Sequence, residues 1–167
     1  MMYADLPTAR ATVQINATTE AVWALVSDIH LMVKLSEELL EVTWLDGAGE
    51  PGVGTRFRGR SFHEALGEWE STSTVIEFKP NSAFTWEVNA GQDVRPSSVW
   101  GFSVEPCAVG TELSQWGQMG PGRSGLNHAI DRLPHKEEKI VANRIGEFQA
   151  GLESNLRLIK ELAEGAR

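Results

Sequence analysis

The sequence predicts an α+β fold in which a curved antiparallel sheet of seven strands wraps around a long C-terminal helix, with two short helices after the first strand. Three observations lead to this fold class. Hydrophobic residues alternate with a period of two over most of residues 41–119, which is typical of half-buried strands. A helical period replaces it from Lys136 to about Ala163, enough for one helix of roughly 28 residues. No linker or repeat interrupts the 167 residues, so we expect one domain over residues 1–167.

The N-terminal part supplies the first strand and the two short helices. Thr12–Asn16 alternates as a strand, and Thr19–Ser27 follows with apolar residues at helical spacing. A second helical segment is predicted through "HLMVKLSEEL", residues 30–39. Asp28 precedes it and is expected to cap its N-terminus.

Six further strands follow, separated by residues that favour turns. They are "EVTWLDG", "TRFRGRSF", "EWESTSTVIEF", "AFTWEV", "SSVWGFSVEP" and "TELSQWGQM". "GEPGVG" is interpreted as a loop, because glycine and proline at this density do not fit inside a sheet.

Alternation assigns an aromatic inner face to the predicted sheet. The side chains placed on it include Phe57, Phe84, Trp86, Trp100, Phe102, Gln115 and Met119. Small residues share these faces and leave space that the rings need not fill: Gly59, Ser61, Ser71, Ser73 and Gly117. Such a face either packs as a core or lines a ligand cavity.

The long helix carries polar residues inside its apolar arc. Phe148 lies on the stripe that should face the sheet, and Arg144, Gly151 and Asn155 fall within the same arc. A buried amide without a partner costs about 1–3 kcal/mol, and an unpaired buried charge costs more. Two interpretations stay open: Asn155 bonds to sheet backbone or water while Arg144 reaches solvent or pairs with a carboxylate, or both line a partly polar cavity.

The segment "GPGRSGLNHAIDRLP", residues 120–134, connects the last strand to the long helix. Leu126, Ile130 and Leu133 form one apolar face over two helical turns. It is either an ordinary connector or a flap over the mouth of a cavity.

Composition excludes several classes of partner. A net charge of −8 disfavours nucleic acid and anionic membrane surfaces. No stretch is long and apolar enough for membrane insertion or a signal peptide, so we expect a cytoplasmic protein. The single cysteine, Cys107, excludes an internal disulfide. We expect no metal and no cofactor, because the four histidines lack metal-ligand spacing and no phosphate-binding loop is present.

Three arginines of the predicted strand "TRFRGRSF" are assigned to the convex face of the sheet, opposite its aromatic inner face. Arg56, Arg58 and Arg60 alternate away from Phe57 and should be solvated. Cross-strand pairing with Glu70 or Glu87 is expected there.

Several phrases resemble a known superfamily. "ATVQINATTEAVWALVSDI" resembles the opening of START-like, helix-grip (SRPBCC) domains. "GVGTRFRGRS", Trp69, "VIEFKPNSAFTWEV" and "VGTELSQ" are similar to phrases of its bacterial polyketide cyclase/dehydrase branch. The resemblance covers nearly the whole chain. It implies a deep cavity between sheet and last helix, with Gly120, Gly122 and Gly125 as hinges of the flap and its three apolar residues facing inward.

Three hypotheses of function follow. The first is binding or transport of a hydrophobic small molecule, lipid-like or polyketide-like. Its site would consist of Phe57, Phe84, Trp86, Trp100, Phe102, Gln115, Met119, Leu126, Arg144, Phe148 and Asn155. The second is a polyketide cyclase or dehydratase that uses the same cavity. The third is a protein-interaction module, compatible with a homodimer, in which the cavity is filled by its own side chains.

The enzyme hypothesis needs a proton-transfer group inside the cavity. Aromatase-cyclases of the superfamily are understood to use arginine and tyrosine, but Tyr3, the single tyrosine, is expected outside the core. Arg144 could stabilise negative charge on a carbonyl oxygen. His63 with Glu64, and His128 on the flap, are the other candidates, and no catalytic residue is assigned.

Overall fold

The computed structural model describes residues 1–91 and 93–165. Its strands are β1 Thr8–Ile15, β2 Leu39–Trp44, β3 Arg56–His63, β4 Gly67–Lys79, β5 Ala83–Asn89, β6 Ser98–Cys107 and β7 Gly110–Met119. Its α-helices are α1 Thr19–Val26, α2 Ile29–Leu35, α3 Gly125–Arg132 and α4 Glu137–Gly165. Short 3-10 turns occupy Tyr3–Asp5 and Pro134–Lys136.

The strands form one antiparallel sheet in the order β1-β7-β6-β5-β4-β3-β2. The predicted α+β architecture, with its seven-stranded sheet and long last helix, is therefore confirmed. Register shifts between Leu39 and Glu41 and between Val75 and Glu77 mark bulges. Bulges increase local twist and bend a strand, so both contribute to the curvature of the sheet.

Side-chain caps begin the two short helices. The Thr18 hydroxyl accepts the N–H of Ala21 at the start of α1. The predicted Asp28 cap is confirmed, because its carboxylate accepts the N–H of His30 at 2.9 Å. The predicted end of α2 is wrong by four residues, since the Ser36 hydroxyl accepts the N–H of Leu39 and turns the chain into β2.

Two hydrophobic clusters hold the molecule together. The larger packs α1, α2 and the C-terminal half of α4 on the sheet, around fully buried residues that include Ile15, Val22, Phe84, Leu113 and Ile159. The smaller one joins α3 and the start of α4 to the N-terminus and contains Tyr3, Met119, Leu126, Ile130 and Val141. The helix α4 runs closest to β1, at one edge of the sheet, and its C-terminal half joins the larger cluster with side chains of the central strands.

Two glycines of the sheet lie under tryptophan rings. Trp100 and Gly117 are cross-strand partners on the inner face, and a Cβ on Gly117 would overlap the Trp100 ring. On the outer face Gly101 and Trp116 repeat the arrangement, since a Cβ on Gly101 would lie 2.6 Å from the Trp116 ring. The space expected beside Gly117 is therefore occupied by Trp100.

The arginines of β3 lie on the outer face, as predicted, but with other partners than expected. Arg56 donates to Asp46 at 2.9 Å, and Arg60 donates to Glu41 and Glu68. For Arg56 and Arg60 the expected pairing with Glu70 or Glu87 is wrong, because the acceptors that they reach lie on the β2–β3 loop, β2 and the start of β4. Among the described helices, none is long and apolar enough to span a membrane.

Candidate functional site

A cavity of about 1020 Å³ lies between the concave face of the sheet and α4. Its size is at the upper end of the roughly 300–1,000 Å³ of small-molecule sites. Its walls come from β3–β7, the end of α2, α3 and α4. The predicted site residues that line it are Phe57, Trp86, Trp100, Phe102, Gln115, Met119, Leu126, Arg144, Phe148 and Asn155.

The structure places Phe84 outside the cavity wall. The ring is 0% exposed and packs edge-to-face against Phe78 at 5.5 Å and Trp86 at 5.0 Å between centroids. Phe84 faces inward, as its alternation predicts. It lies where α1 and the C-terminal half of α4 cover the sheet, so that its contacts are with the core.

Aromatic rings form the apolar part of the wall. Trp86 lies 6.0 Å from Phe102 between ring centroids, and Trp100 lies 4.7 Å from Phe148 of α4. The indole N–H of Trp100 donates to the Ser98 hydroxyl at 2.9 Å. This hydrogen bond satisfies the polar atom of the Trp100 ring and leaves its face as apolar contact area.

One amide pair lies on the wall where α4 meets β7. Asn155 Nδ2 donates to Gln115 Oε1 at 3.2 Å. Gln115 is only 5% exposed, and both side chains border the cavity. Asn155 therefore lines the cavity, and its partner on the sheet is a side chain rather than the expected backbone or water.

Charged groups collect at the opposite end, around Arg144. Its Nη1 donates to Glu38 Oε1 at 2.7 Å and to Glu147 Oε2 at 2.5 Å, and its Nη2 donates to Glu38 Oε2 at 3.0 Å. Burial alone would lower the pKa of Arg144, but the hydrogen bonds and negative charge of Glu38 and Glu147 outweigh it and raise the pKa. Arg144 is therefore ion-paired and lines the cavity at once.

His63 extends this cluster to the β3–β4 hairpin. The N–H of Ala65 donates to its Nδ1 at 3.0 Å, so the proton of the neutral ring is on Nε2, which donates to Glu147 Oε2 at 2.9 Å. The candidate pair of His63 with Glu64 is not formed: Glu64 lies in the turn after β3, and the carboxylate that His63 reaches belongs to Glu147 of α4. His128 of α3 also lines the cavity.

Glu38, His63 and Glu147 place possible ligand atoms within 4.8 Å of one another, a grouping compatible with a metal ion. The Arg144 guanidinium already bonds to both carboxylates. Its charge stands where a cation would, and the Nδ1 lone pair of His63 is used by the backbone. The three residues come from distant parts of the chain, which is why spacing along the sequence did not reveal them.

Tyr3 is a wall residue that sequence reasoning missed. It is 8% exposed, and its hydroxyl donates to the Gly122 carbonyl at 2.7 Å. Burial raises the pKa of the phenol. The expectation that Tyr3 lies outside the core is wrong, because its contacts are with residues about 120 positions away and no local pattern announces them.

The segment 120–134 contains α3, whose inner face seals one side of the cavity. Leu126 and Ile130 are each 8% exposed and face the smaller cluster, as predicted, but Leu133 is 41% exposed and does not. The N–H of Gly122 donates to the Pro96 carbonyl at 2.7 Å, and a Cβ on Gly122 would overlap the Arg95 carbonyl. Gly122 is thus a close-packed position, and movement of the segment stays a prediction.

The family model for polyketide cyclase/dehydrase and lipid transport matches residues 7–154. Among solved structures, the polyketide cyclase-like protein Cgl2372 of Corynebacterium glutamicum is 29% identical, with a TM-score of 0.62 over 95% of this chain and 94% of that one. No curated protein matches.

More distant structures share the fold alone. DR_A0006 of Deinococcus radiodurans is 18% identical, with a TM-score of 0.64 over 95% of this chain and 99% of that one. The di-domain ARO/CYC protein StfQ of the steffimycin biosynthetic pathway is 12% identical, with a TM-score of 0.64. The alignment covers 97% of this chain and 52% of StfQ.

Proposed function

The chain belongs to the polyketide cyclase/dehydrase and lipid transport family, and from this premise we propose that it binds a hydrophobic small molecule between sheet and last helix. The observation that carries the proposal is the cavity of about 1020 Å³ with its aromatic wall. Five of the predicted site residues contribute aromatic rings to that wall: Phe57, Trp86, Trp100, Phe102 and Phe148.

The physical basis is burial of apolar ligand surface. Each Å² removed from water contributes about 25 cal/mol, so 300 Å² of ligand would contribute roughly 7 kcal/mol before the costs of association. A module with a filled core would have no such space. The size of the cavity therefore favours a ligand over the third hypothesis.

One observation supports a second candidate, cyclisation or dehydration of a polyketide-like substrate. His63 and Glu147, hydrogen-bonded at 2.9 Å, lie on the cavity wall and could exchange a proton with a substrate. His63 and Glu147 lie at the charged end of the cavity. The amide pair of Gln115 and Asn155, at the other end, is neutral and has no titratable proton to exchange. Binding needs no proton-transfer group, so it remains the better supported function.

Native mass spectrometry of the gently purified full-length protein, followed by organic extraction, tests the proposal. We expect a hydrophobic adduct, or saturable binding of the hydrocarbon dye diphenylhexatriene to the ligand-free protein. A clean ligand-free mass together with no dye binding would contradict the proposal. Release of an adduct in a chemically altered form after incubation would favour the enzyme.

A further inference from the structure

Building on the proposed function, we infer that the cavity selects an uncharged ligand. This ligand has an apolar body and a hydroxyl or carbonyl oxygen that hydrogen-bonds to the amide pair of Gln115 and Asn155. Fatty-acid-like anions and phosphate-bearing lipids are excluded. Two independent features of the wall, its neutral amide pair and its acidic mouth, lead to the same ligand class.

The amide pair has hydrogen-bonding capacity that the protein does not use. A primary amide offers two N–H donors and an acceptor oxygen. Gln115 Oε1 accepts from Asn155, while Gln115 Nε2 has no partner among residues 1–91 and 93–165. Because Gln115 is 95% buried and borders the cavity, the group available to this N–H is one that enters the cavity.

The unused capacity suits a neutral oxygen. Two amides can form one hydrogen bond in either of two orientations, and both orientations leave at least one donor and one acceptor oxygen free. A hydroxyl uses both, and a carbonyl uses the donor. A carboxylate would gain no opposite charge from Gln115 or Asn155 and would lose its hydration, which is strongly unfavourable.

The mouth of the cavity, defined by Glu37, Glu38, Glu64, Arg144 and Glu147, opposes anions as well. Four carboxylates stand there beside one guanidinium, and that guanidinium already donates to two of them. The other ionisable groups on the wall are Tyr3, His63, His128 and Glu68, the last paired with Arg60. The mouth therefore presents a negative potential to any entering anion.

Distance separates the two features. Arg144 and Asn155 are 11 positions apart on α4, about 16 Å along the helix axis. When the oxygen of a ligand reaches the amide pair, the apolar body of that ligand lies against the aromatic rings between the amide pair and Arg144. An anion that stays at the mouth gains little from Arg144, because Glu38 and Glu147 already compensate the positive charge of the guanidinium.

Displacement of diphenylhexatriene from the full-length protein tests this inference, because the dye is a hydrocarbon that needs no hydrogen bond. Dodecanol and dodecanoate, which share one chain length, compete at mildly alkaline pH below their micelle concentrations. We expect dodecanol to displace the dye at a concentration about tenfold lower than dodecanoate does. Equal potency, or a preference for dodecanoate, would overturn the inference.

The displacement experiment distinguishes failure of the proposed ligand-binding function from failure of the inference about ligand charge. If the dye does not bind at all, the proposed ligand-binding function fails; if it binds and dodecanoate competes as well as dodecanol, only the inference about charge fails. In a Glu37→Gln, Glu64→Gln variant, dodecanoate should gain several-fold in potency while dodecanol is unchanged. An unchanged dodecanoate potency would refute the acidic mouth as the source of selection.

A second variant examines the amide pair. Gln115→Leu keeps the side-chain size and removes both polar atoms, so dodecanol should lose about tenfold in potency relative to the dye affinity of the same variant. Asn155→Leu, on the other element, should give the same loss. Full dodecanol potency in a variant that still binds the dye would remove the pair from the ligand site.

Discussion

Single residues decide where the aromatic wall stands. Trp100 can lie flat on the sheet because its cross-strand partner, Gly117, has no side chain. Phe148 then packs against Trp100 with the ring planes tilted by 44°, and the Arg144 guanidinium lies 5.2 Å from the centre of the Phe148 ring. A contiguous series of side chains thus extends from β6 to the charged mouth.

Removal of one wall tryptophan should weaken ligand binding. Trp86→Ala or Trp100→Ala is expected to lower dye affinity by about tenfold, since each deletes ring area that faces the cavity. Arg58→Ala, on the exposed outer face of the same sheet, serves as the control and should change little. Equally small effects of all three substitutions would show that the two tryptophans do not contact the ligand.

A methyl group at residue 117 should be destabilising. Gly117→Ala would drive the new Cβ into the Trp100 ring, at an expected loss of about 1–3 kcal/mol in the free energy of unfolding. Gly146→Ala is the matched control: nothing lies within 4 Å of its added Cβ, and helix propensity predicts a gain of about 0.5–1 kcal/mol. Urea unfolding measures both, and a neutral Gly117→Ala would refute the overlap.

At the scale of elements, the N-terminal turn fastens the segment that precedes α3. Tyr3 inserts its ring beside Met119, Leu126 and Ile130, and its hydroxyl donates to Gly122. This buried hydrogen bond and the backbone bond from Gly122 to the Pro96 carbonyl hold the start of the segment that borders the cavity. An opening that moves Gly122 would have to break both.

The pKa of the Tyr3 phenol should reflect this burial. Because burial favours the neutral phenol, the pKa in the folded protein is raised above the 10.0 of an exposed tyrosine. Its contribution to stability is thus fully present below about pH 10 and is lost as the pH rises through the folded-state pKa.

Phenolate absorbance reports on this residue alone, since the sequence contains one tyrosine. We expect a midpoint above that of the urea-unfolded chain. Tyr3→Phe should remove this part of the alkaline loss of stability. A folded-state midpoint equal to the unfolded one would show that Tyr3 is exposed to solvent.

At the scale of the whole molecule, the cavity exists because α4 lies mainly against one edge of a wide, curved sheet. Two hydrophobic clusters anchor the helix, one near each end, and the wall between them includes members of both. The clusters therefore hold α4 on the sheet near both ends of the helix, and the space between them remains open as the cavity.

Ligand binding should stabilise the entire domain. At a ligand concentration of about 100 Kd, binding to the folded state alone adds roughly 2.7 kcal/mol to the free energy of unfolding. For a chain of this size, the expected rise in Tm is several degrees, measurable by differential scanning calorimetry with dodecanol. A Tm that does not change at saturating dodecanol would contradict specific binding to the folded state.

Much of the fold could be predicted because local periodicity depends on neighbouring residues only. The inward side of β7, with Gln115 and Met119, and the apolar stripe of α4 both followed from spacing. The same reasoning placed Phe57 and Phe84 on one face without distinguishing them. Phe57 lines the cavity and Phe84 does not, because cover by α1 and α4 is a property of packing.

The sequence by itself determined the order of elements, the aromatic inner face and the polar positions Arg144 and Asn155 on the last helix. Those features are encoded in residues a few positions apart. Only the tertiary structure decided that Arg144 meets Glu38, 106 positions away, and that Tyr3 reaches Gly122, 119 positions away. Contacts over such separations arise when distant segments pack together, and no local pattern in a single sequence records which segments will meet.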